Sequence, residues 1–586
     1  MVRLPDAPFV LLDDARPGGG ARLYARPVEI VTGDVAAGLA RLREAQAAGL
    51  HAAGFLSYEG AETLEPRAWA APAAEAGPRL WFGLFEEYAP VADAAALLPD
   101  PAGAWAGAPE PRIARREYFA RLARVAEYIA AGDIYQANLT FQSDVRWAGD
   151  PAALYALVRG RAAAGYGALV HTGERWLLSF SPELFFRMDG SRITAEPMKG
   201  TAVRLDDPAA DARAALALRE DPKQRAENLM IVDLMRNDLS RVARAGSVAV
   251  PRLFHVEQYP TVHQMISTIT ADLAEGVGAA DALAVLFPCG SVTGAPKVRA
   301  MQIIEEVERA PRGVYTGAIG RLDANGDALF NVAIRTLAID PAGRASMGLG
   351  SGLVADSRAE EEWDECLAKG AFLTAGEKPF DLIETMGFEP EQGIVLLDRH
   401  LARMKASADA FGFSFDRHMV RNELQAATFR LHAPARIRLL LAASGAIAIG
   451  IAPMPPRRAG PMRAAIAPLP VAASDFRLRH KTSRRGFYDA ARGAGGADEV
   501  VFVDAEGFLT EGSFTSLFVE REGVLVTPPL ARGLLPGVLR AELLESGRAV
   551  EGDLVPGDLA GGFWLGNALR GLVAAVTVAE TERAAV

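Results

Sequence analysis

Near residue 376 the pattern of this chain starts over. The helix-periodic run EEEWDECLAKGAFL ends in TAGEKPFD (374–381), where Gly376 and Pro379 break a helix, and a strand-like segment, LIETMGF, begins afresh. The restart predicts two consecutive units, 1–375 and 377–586, with no internal repeat relating them. Length agrees, since 586 residues at ~150 per domain imply about four ordinary domains or fewer large ones. In the first unit, residues 1–110 alternate apolar runs such as FVLL and RLWFGLFEEY with loops rich in Ala, Pro and Gly, and a denser part spans 111–375. Helical and strand periodicities run through both units, so the predicted class is α+β.

Two local patterns are definite. REYFARLARVAEYIAAG predicts a helix with Phe119, Leu122, Ala126 and Ile129 on one face, after which IYQANLTF alternates as a strand with Gln136 and Asn138 sharing a side. In LLSFSPELFFRMDGSRITAEPMKG, Asp189 and Gly190 predict a two-residue hairpin turn, which sets Glu183 opposite Glu196 and close to Lys199.

Composition excludes several function classes. With 73 acidic against 62 basic residues the formal charge is −11, which repels a phosphate backbone and argues against nucleic-acid binding. Cys289 and Cys366 are the only cysteines, too few for a disulfide framework, and a reducing cytoplasm fits. No stretch approaches the roughly 20 apolar residues that span a bilayer, so neither export nor membrane insertion is expected.

Lysine is scarce: Lys199, Lys223, Lys297, Lys369, Lys378, Lys405 and Lys481 are seven of 62 basic residues. Arginine holds its proton near neutral pH, whereas lysine can become a neutral nucleophile or base, so the surviving lysines are candidates for chemistry. Lys223, Lys378 and Lys405 read more simply as solvated. Glu362, Glu365 and Lys369 stand at i, i+3 and i+7, hence on one helical face, where two carboxylates suit Mg²⁺; a salt-bridged solvated face is the alternative. Glu227 opens the helix RAENLMIVD, and SVTGAPK (291–297) joins a small-residue loop to a lysine as an anion site does. That loop lacks the phosphate-loop pattern, and GLGSGLV (348–354) lacks the last glycine of a dinucleotide loop.

The motifs GDIYQANL, SPELFF, EPMKGT, RAENLMIVDLMRND, GAPKVRAM, RGVYTGAIG and ADSRAEEEWDE, in order across roughly 110–372, resemble the chorismate-utilising enzymes. The resemblance implies a large α/β sandwich-like domain whose cleft holds chorismate with one Mg²⁺ on Glu227, Glu362 and Glu365. It implies that Gln136, Thr293, Tyr315, Arg335 and Lys369 bind substrate and that Glu183, Lys199 and His263 are catalytic. Gln224 stands where some relatives carry an acid. Gln136 stands where isochorismate- and salicylate-forming members carry a lysine base, which favours amination. Lys199 stands where anthranilate-forming members carry alanine. It therefore looks like the component I type that makes aminodeoxychorismate, with Lys199 adding at C2 while the C4 hydroxyl leaves, Glu183 acting as acid and ammonia then expelling the lysine. Anthranilate formation is the alternative, and a non-catalytic chorismate-binding module a further one. Neither cysteine fits a glutamine amidotransferase elbow, so a separate glutaminase subunit is implied as the ammonia source.

After the restart, FDLIETMGF, LDRHLARMKASADAFGF, HKTSRRGFYDAAR, DAEGFLTEGSFTSLF, PPLARGLLPGVLRAELL and GNALRG resemble the fold-type IV pyridoxal phosphate enzymes. That family includes branched-chain aminotransferases, D-amino-acid transaminases and aminodeoxychorismate lyase, and a homodimer through this domain is compatible with it. The resemblance implies Lys481 as the Schiff-base lysine, Glu511 as partner of the pyridine nitrogen and Arg403 as the phosphate arginine. Ser516 stands where relatives often have Asn, and Leu539 where aminotransferases often have Thr. Fusion to an aminodeoxychorismate-forming half favours the lyase, which releases pyruvate and 4-aminobenzoate, the folate precursor. A transaminase and a non-catalytic half are the alternatives.

Overall fold

The structure, a computed structural model, describes residues 4–6, 8–70, 77–258, 262–456 and 458–578. It divides into two compact units, of which the second comprises residues 376–586 together with 100–107 and 146–154, and the first the remainder. The expected contiguous first unit of 1–375 is therefore interrupted twice. The reason is apolar. Trp105 and Ala106 pair with Trp147 and Ala148 in a short ribbon, and the Trp105 ring stands edge-on to Phe411 at 4.9 Å between centroids, inside the cluster that also buries Phe380 and Phe476.

The first unit is built on two large sheets. One runs from Gly294–Ala295 through Gln136–Val145, Ala345–Leu353, Thr336–Ile339, Trp176–Ser181, Tyr166–His171, Phe9–Asp13 and Ala21–Ala25 to Ala89–Val91. The other runs from Met198–Val203 through Val262–Asp272, Arg192–Glu196, Leu184–Asp189, Ala328–Val332, Ala318–Leu322, His51–Leu56 and Leu80–Phe85 to Glu29–Thr32. Strand Leu80–Phe85 shows why they stack. It is apolar at every position but Gly83, as a strand buried on both faces must be, with Trp81 and Phe85 packing toward Val10, Tyr24 and Val170 of the other sheet. Its alternate residues, Leu80, Phe82 and Leu84, pack with helical Leu39, Leu42, Ile231 and Leu283. The result is a sheet-on-sheet sandwich with helices outside.

Two local expectations shift. Helix Arg115–Ala130 buries Tyr118, Leu122 and Val125, so its inner face is rotated from the one expected, and Phe119 and Ala126 fall outside it. In the hairpin, Asp189 pairs with Arg192, making Gly190–Ser191 the turn with Gly190 at φ +59; an irregularity farther along sets Leu184, not Glu183, opposite Glu196.

The second unit carries a four-stranded sheet, Gly393–Ile394, Leu382–Glu389, Ala435–Leu441 and Ile447–Pro453, and an eight-stranded sheet in which Met462–Pro468 pairs in parallel with Glu499–Val503. Among the described residues no helix is long and apolar enough to cross a membrane.

Candidate active sites

In the first unit the strand Ala345–Leu353 is the floor of the site. Its glycines 348, 350 and 352 recur with the strand period, and each leaves room for a side chain of another element. A Cβ at Gly348 would lie 2.1 Å from the Tyr315 ring, and one at Gly352 would lie 3.1 Å from both Lys199 Nζ and Gln136 Nε2. Lys199, from Met198–Val203, and Gln136, from Gln136–Val145, therefore meet over Gly352. The Gln136 Oε1 atom is buried without a hydrogen-bond partner, an acceptor left for a ligand. Lys199 is held by Glu227 at 3.3 Å, while Lys369 donates to the Gly350 carbonyl at 3.0 Å and pairs with Glu365 at 2.7 Å. Glu183 is buried and accepts the Ser291 hydroxyl at 2.6 Å. Burial pushes its carboxyl up to about 7 against the opposing pull of that hydrogen bond, Lys199 and Lys369, so its protonated and ionised forms coexist near neutral pH.

The carboxylates expected to hold Mg²⁺ are right in type but are not gathered. Glu227 pairs with Lys199, Glu365 with Lys369, and Glu362 accepts the Ser357 hydroxyl at 2.6 Å. Among the described residues no group of three His, Cys, Asp or Glu side chains could hold a metal ion, so the expected Mg²⁺ site is not formed as such. Glu365 lies in a positive environment: burial raises it, and Lys369, Lys199 and Lys223 bring it below the usual carboxylate range. Glu227 lies in the second turn of helix Pro222–Ser240 and does not open it.

Other expected residues take structural places. His263 is fully buried with Nε2 2.8 Å from Asp211, because strand alternation sends it to the side opposite Gln264, and it is Gln264 that donates to the Gly200 carbonyl at 2.8 Å beside Lys199. Thr293 is fully buried and spends its hydroxyl on the Cys289 carbonyl at 3.0 Å, while its own carbonyl accepts from the Asn138 amide at 2.7 Å; it shapes the loop and does not open to a ligand. Lys297, read as an anion-loop lysine, is tied to Asp238 at 2.7 Å and to the Leu286 and Pro288 carbonyls. Tyr315 is buried against the glycine strand, and Arg335, at φ +50, lies 5.8 Å over the Phe372 ring. Burial raises both thiols, Cys289 to about 12, so neither is a ready nucleophile.

In the second unit, Lys481, Arg403 and Glu511 line one cavity of about 790 Å³. The Lys481 carbonyl accepts from the Ile383 amide at 2.8 Å, and Leu382 bridges Thr482, so the backbone of Lys481 is pinned to a sheet strand. Burial, reinforced by Arg403, brings the Lys481 amine down to about 7. Glu511 is buried, accepts the Tyr488 hydroxyl at 2.5 Å and is pushed up by burial to about 7. Arg403 grips Glu384 through Nε at 2.8 Å and Nη2 at 2.6 Å, and its Nη1 donates to the Pro536 carbonyl at 3.2 Å. Arg403 thus stands at the start of helix Val538–Glu545, whose N-terminus favours an anion. Ser516 Oγ would lie 2.4 Å from a Cβ at Gly537, so this glycine is what admits it, whereas Leu539 packs with Phe518 and Leu543.

Sequence reasoning missed the supports. Glu384 also accepts from His400 Nδ1 at 2.6 Å, leaving the buried Nε2 unpartnered at the cavity. Glu499 accepts the Thr515 hydroxyl at 2.9 Å and the Ser513 amide at 3.0 Å, fixing the loop after Glu511. The residues fit pyridoxal phosphate: a neutral buried amine, an acid for the ring nitrogen, and a guanidinium beside a helix N-terminus for the phosphate.

Residues 26–375 match the model of the chorismate binding enzymes. The chain belongs to this family. Residues 381–578 match the amino-transferase class IV family, so a class IV domain follows the chorismate binding one. Aminodeoxychorismate synthase component 1 of Escherichia coli is 44% identical over 261 residues, 44% of this chain and 57% of that protein. Anthranilate synthase component 1 of Methanothermobacter thermautotrophicus is 40% identical over 258 residues, 44% of this chain and 55% of that protein. The matched segment spans little more than half the length of these relatives. The solved anthranilate synthase component I of Streptococcus pneumoniae shares the fold at TM-score 0.54 and 25% identity, covering 64% of this chain and 94% of that one.

Proposed function

We propose that the chain converts chorismate to 4-aminobenzoate in two steps: amination at C4 in the first unit, giving 4-amino-4-deoxychorismate and water, and elimination in the second, giving 4-aminobenzoate and pyruvate. The observation that carries the reading is the meeting of Lys199 with Gln136 over Gly352, within the field of Glu183, whose carboxyl is raised to about 7. A nucleophilic amine and a buried acid are what exchange of a hydroxyl for an amine requires. Once deprotonated, the Lys199 amine adds at C2 as the C4–O bond breaks, Glu183 gives its proton to the departing oxygen, and ammonia then bonds at C4 as the lysine leaves C2. The unready thiols favour ammonia delivered by a separate glutaminase subunit, as the component 1 naming of the relatives suggests.

In the second unit pyridoxal phosphate, when bound, supplies an electron sink for ionisation of the C–H bond beside the substrate amine. Arg403 and the helix N-terminus at Val538 would hold the phosphate, and Glu511 the ring nitrogen. Lys481 takes the proton from C4, and loss of the enolpyruvyl group as pyruvate leaves an aromatic ring.

The test is to incubate the full chain with chorismate, ammonium, Mg²⁺ and pyridoxal phosphate and identify the products. 4-Aminobenzoate with pyruvate is expected, and pyruvate formation from 4-amino-4-deoxychorismate should not need 2-oxoglutarate; 2-aminobenzoate would overturn the first step, and amino-group exchange without pyruvate the second. Glu183→Gln should slow amination about 10²–10⁴-fold. In the parent, amination should fall as pH rises through about 7, where Glu183 loses its proton.

A further inference from the structure

Helix Leu397–Phe411 carries His400 and Arg403 at i and i+3, on the face that looks into the cavity of Lys481. One carboxylate serves both. Glu384, on strand Leu382–Glu389, accepts from Arg403 Nε at 2.8 Å and Nη2 at 2.6 Å and from His400 Nδ1 at 2.6 Å. Burial raises the Glu384 carboxyl, but Arg403 and His400 overcome it and hold the group well below the usual carboxylate range, so it is ionised and can only accept. The ring proton of His400 therefore sits on Nδ1, and Nε2 carries a lone pair. Among the described residues that buried atom has no hydrogen-bond partner. Burial lowers the imidazole against the pull of Glu384, and Arg403 and Lys481 are the cations that face it, so the ring is neutral above pH 7.

The trio sets a charge problem for an anion. Glu384 cancels Arg403, so with a neutral His400 the three side chains sum to zero beside the start of helix Val538–Glu545, where a phosphate would lie. Its oxygens would also face the Nε2 lone pair, acceptor against acceptor. Lys481, brought down to about 7 by burial with Arg403, Arg438 and Arg485 around it, adds less than a full charge. A single proton resolves the conflict. Placed between Nε2 and a phosphate oxygen, it makes a charge-assisted hydrogen bond of two opposed acceptors and offsets about one of the two phosphate charges.

We infer that His400, oriented by Glu384, is a proton site of the second cavity: a phosphate enters it together with one proton from solvent, shared between Nε2 and a phosphate oxygen. The inference rests on the cofactor reading of this cavity. No covalent bond changes, and the proton is the only atom taken up with the ligand.

The probe is pyridoxine 5′-phosphate, which has the ring and the phosphate but no aldehyde and so cannot bond to Lys481. It is added at pH 8 to the full chain freed of cofactor and carrying ¹⁵N in its eight histidines. The His400 signals are those missing from His400→Gln or His400→Asn. Without ligand, Nε2 should resonate as a bare lone pair; with ligand, it should move to the position of a protonated or proton-sharing nitrogen while Nδ1 stays protonated. Calorimetry in buffers of differing ionisation enthalpy counts the protons. Those of the ring and of Glu511 are common to parent and His400→Gln, so the parent should take up about one more. By linkage, the ratio of parental to variant affinity should then fall about tenfold from pH 8 to pH 9. A variant that binds too weakly for calorimetry still assigns the signal, and the parental shift decides. An Nε2 that stays bare in the complex, or equal proton uptake by parent and variant, would overturn the proton site and leave the cofactor reading standing. A parent that binds no pyridoxine 5′-phosphate would remove both.

Discussion

Lys481 owes its chemistry to where it is buried. An exposed lysine keeps its proton far above neutral pH, but desolvation, with Arg403 beside it, brings this amine to about 7. The neutral form is the one that attacks an aldehyde, so incorporation of pyridoxal phosphate into the apoprotein, followed by its visible absorption, should accelerate as pH rises through about 7 and level off above it. A rate still climbing steeply between pH 8 and 10 would show an ordinary lysine. Linkage has a definite sign. The unfolded chain keeps this proton up to the usual lysine range while the native chain has released it, so stability rises with pH across that window and is lost as pH falls toward 7. Scarcity pointed to Lys481 and Lys199 in the sequence, and it pointed equally to Lys297, which proves to be tied to Asp238 and two carbonyls. Composition cannot separate an ammonium that fastens a loop from an amine facing a cavity, because the difference lies in partners distant along the chain. His263 teaches the same lesson over a single step: one position along a strand is the difference between Asp211 and the Lys199 loop.

At the scale of elements, the glycine strand Ala345–Leu353 and the hairpin Leu184–Glu196 set the first site. In sequence GLGSGLV invites comparison with a nucleotide loop, but its period of two is a strand property, and its glycines matter for what they leave empty. Gly352→Ala would place a methyl 3.1 Å from the ends of Gln136 and Lys199, two flexible side chains that can yield, so the fold should survive while amination drops by roughly tenfold or more. Gly348→Ala would put the methyl 2.1 Å from the Tyr315 ring and should lower stability by about 1–3 kcal/mol. Amination rates and urea midpoints of the two variants test the distinction; a Gly352→Ala chain of parental activity would remove Gly352 from the site. Helices with strong periodicity, such as Arg115–Ala130 and Pro222–Ser240, were legible in the sequence. The hairpin turn moved by one residue because pairing with strand Ala328–Val332, absent from local turn chemistry, also fixes its register.

At the scale of the whole molecule, the restart near residue 376 was readable and the two excursions were not, since Trp105 announces its unit only through Phe380 and Phe411, hundreds of residues away, and Trp147 follows it by pairing with Ala106. Each proposed site draws its named side chains from one unit: Lys199, Glu183 and Gln136 from the first, Lys481, Glu511 and Arg403 from the second. The two chemistries should therefore be separable by mutation. A Lys481→Ala chain should accumulate 4-amino-4-deoxychorismate at the parental rate and lack the visible cofactor band, and a Lys199→Ala chain should release pyruvate from added 4-amino-4-deoxychorismate while forming none from chorismate. Mixing the two inactive chains should restore 4-aminobenzoate after a lag that shortens as the Lys199→Ala chain is increased, because the intermediate then travels through solution from one chain to the other. If Lys481→Ala also halts amination, or if the mixture stays silent although each partner reaction runs alone, the two activities are coupled within one chain and the separation argued from the two cores fails.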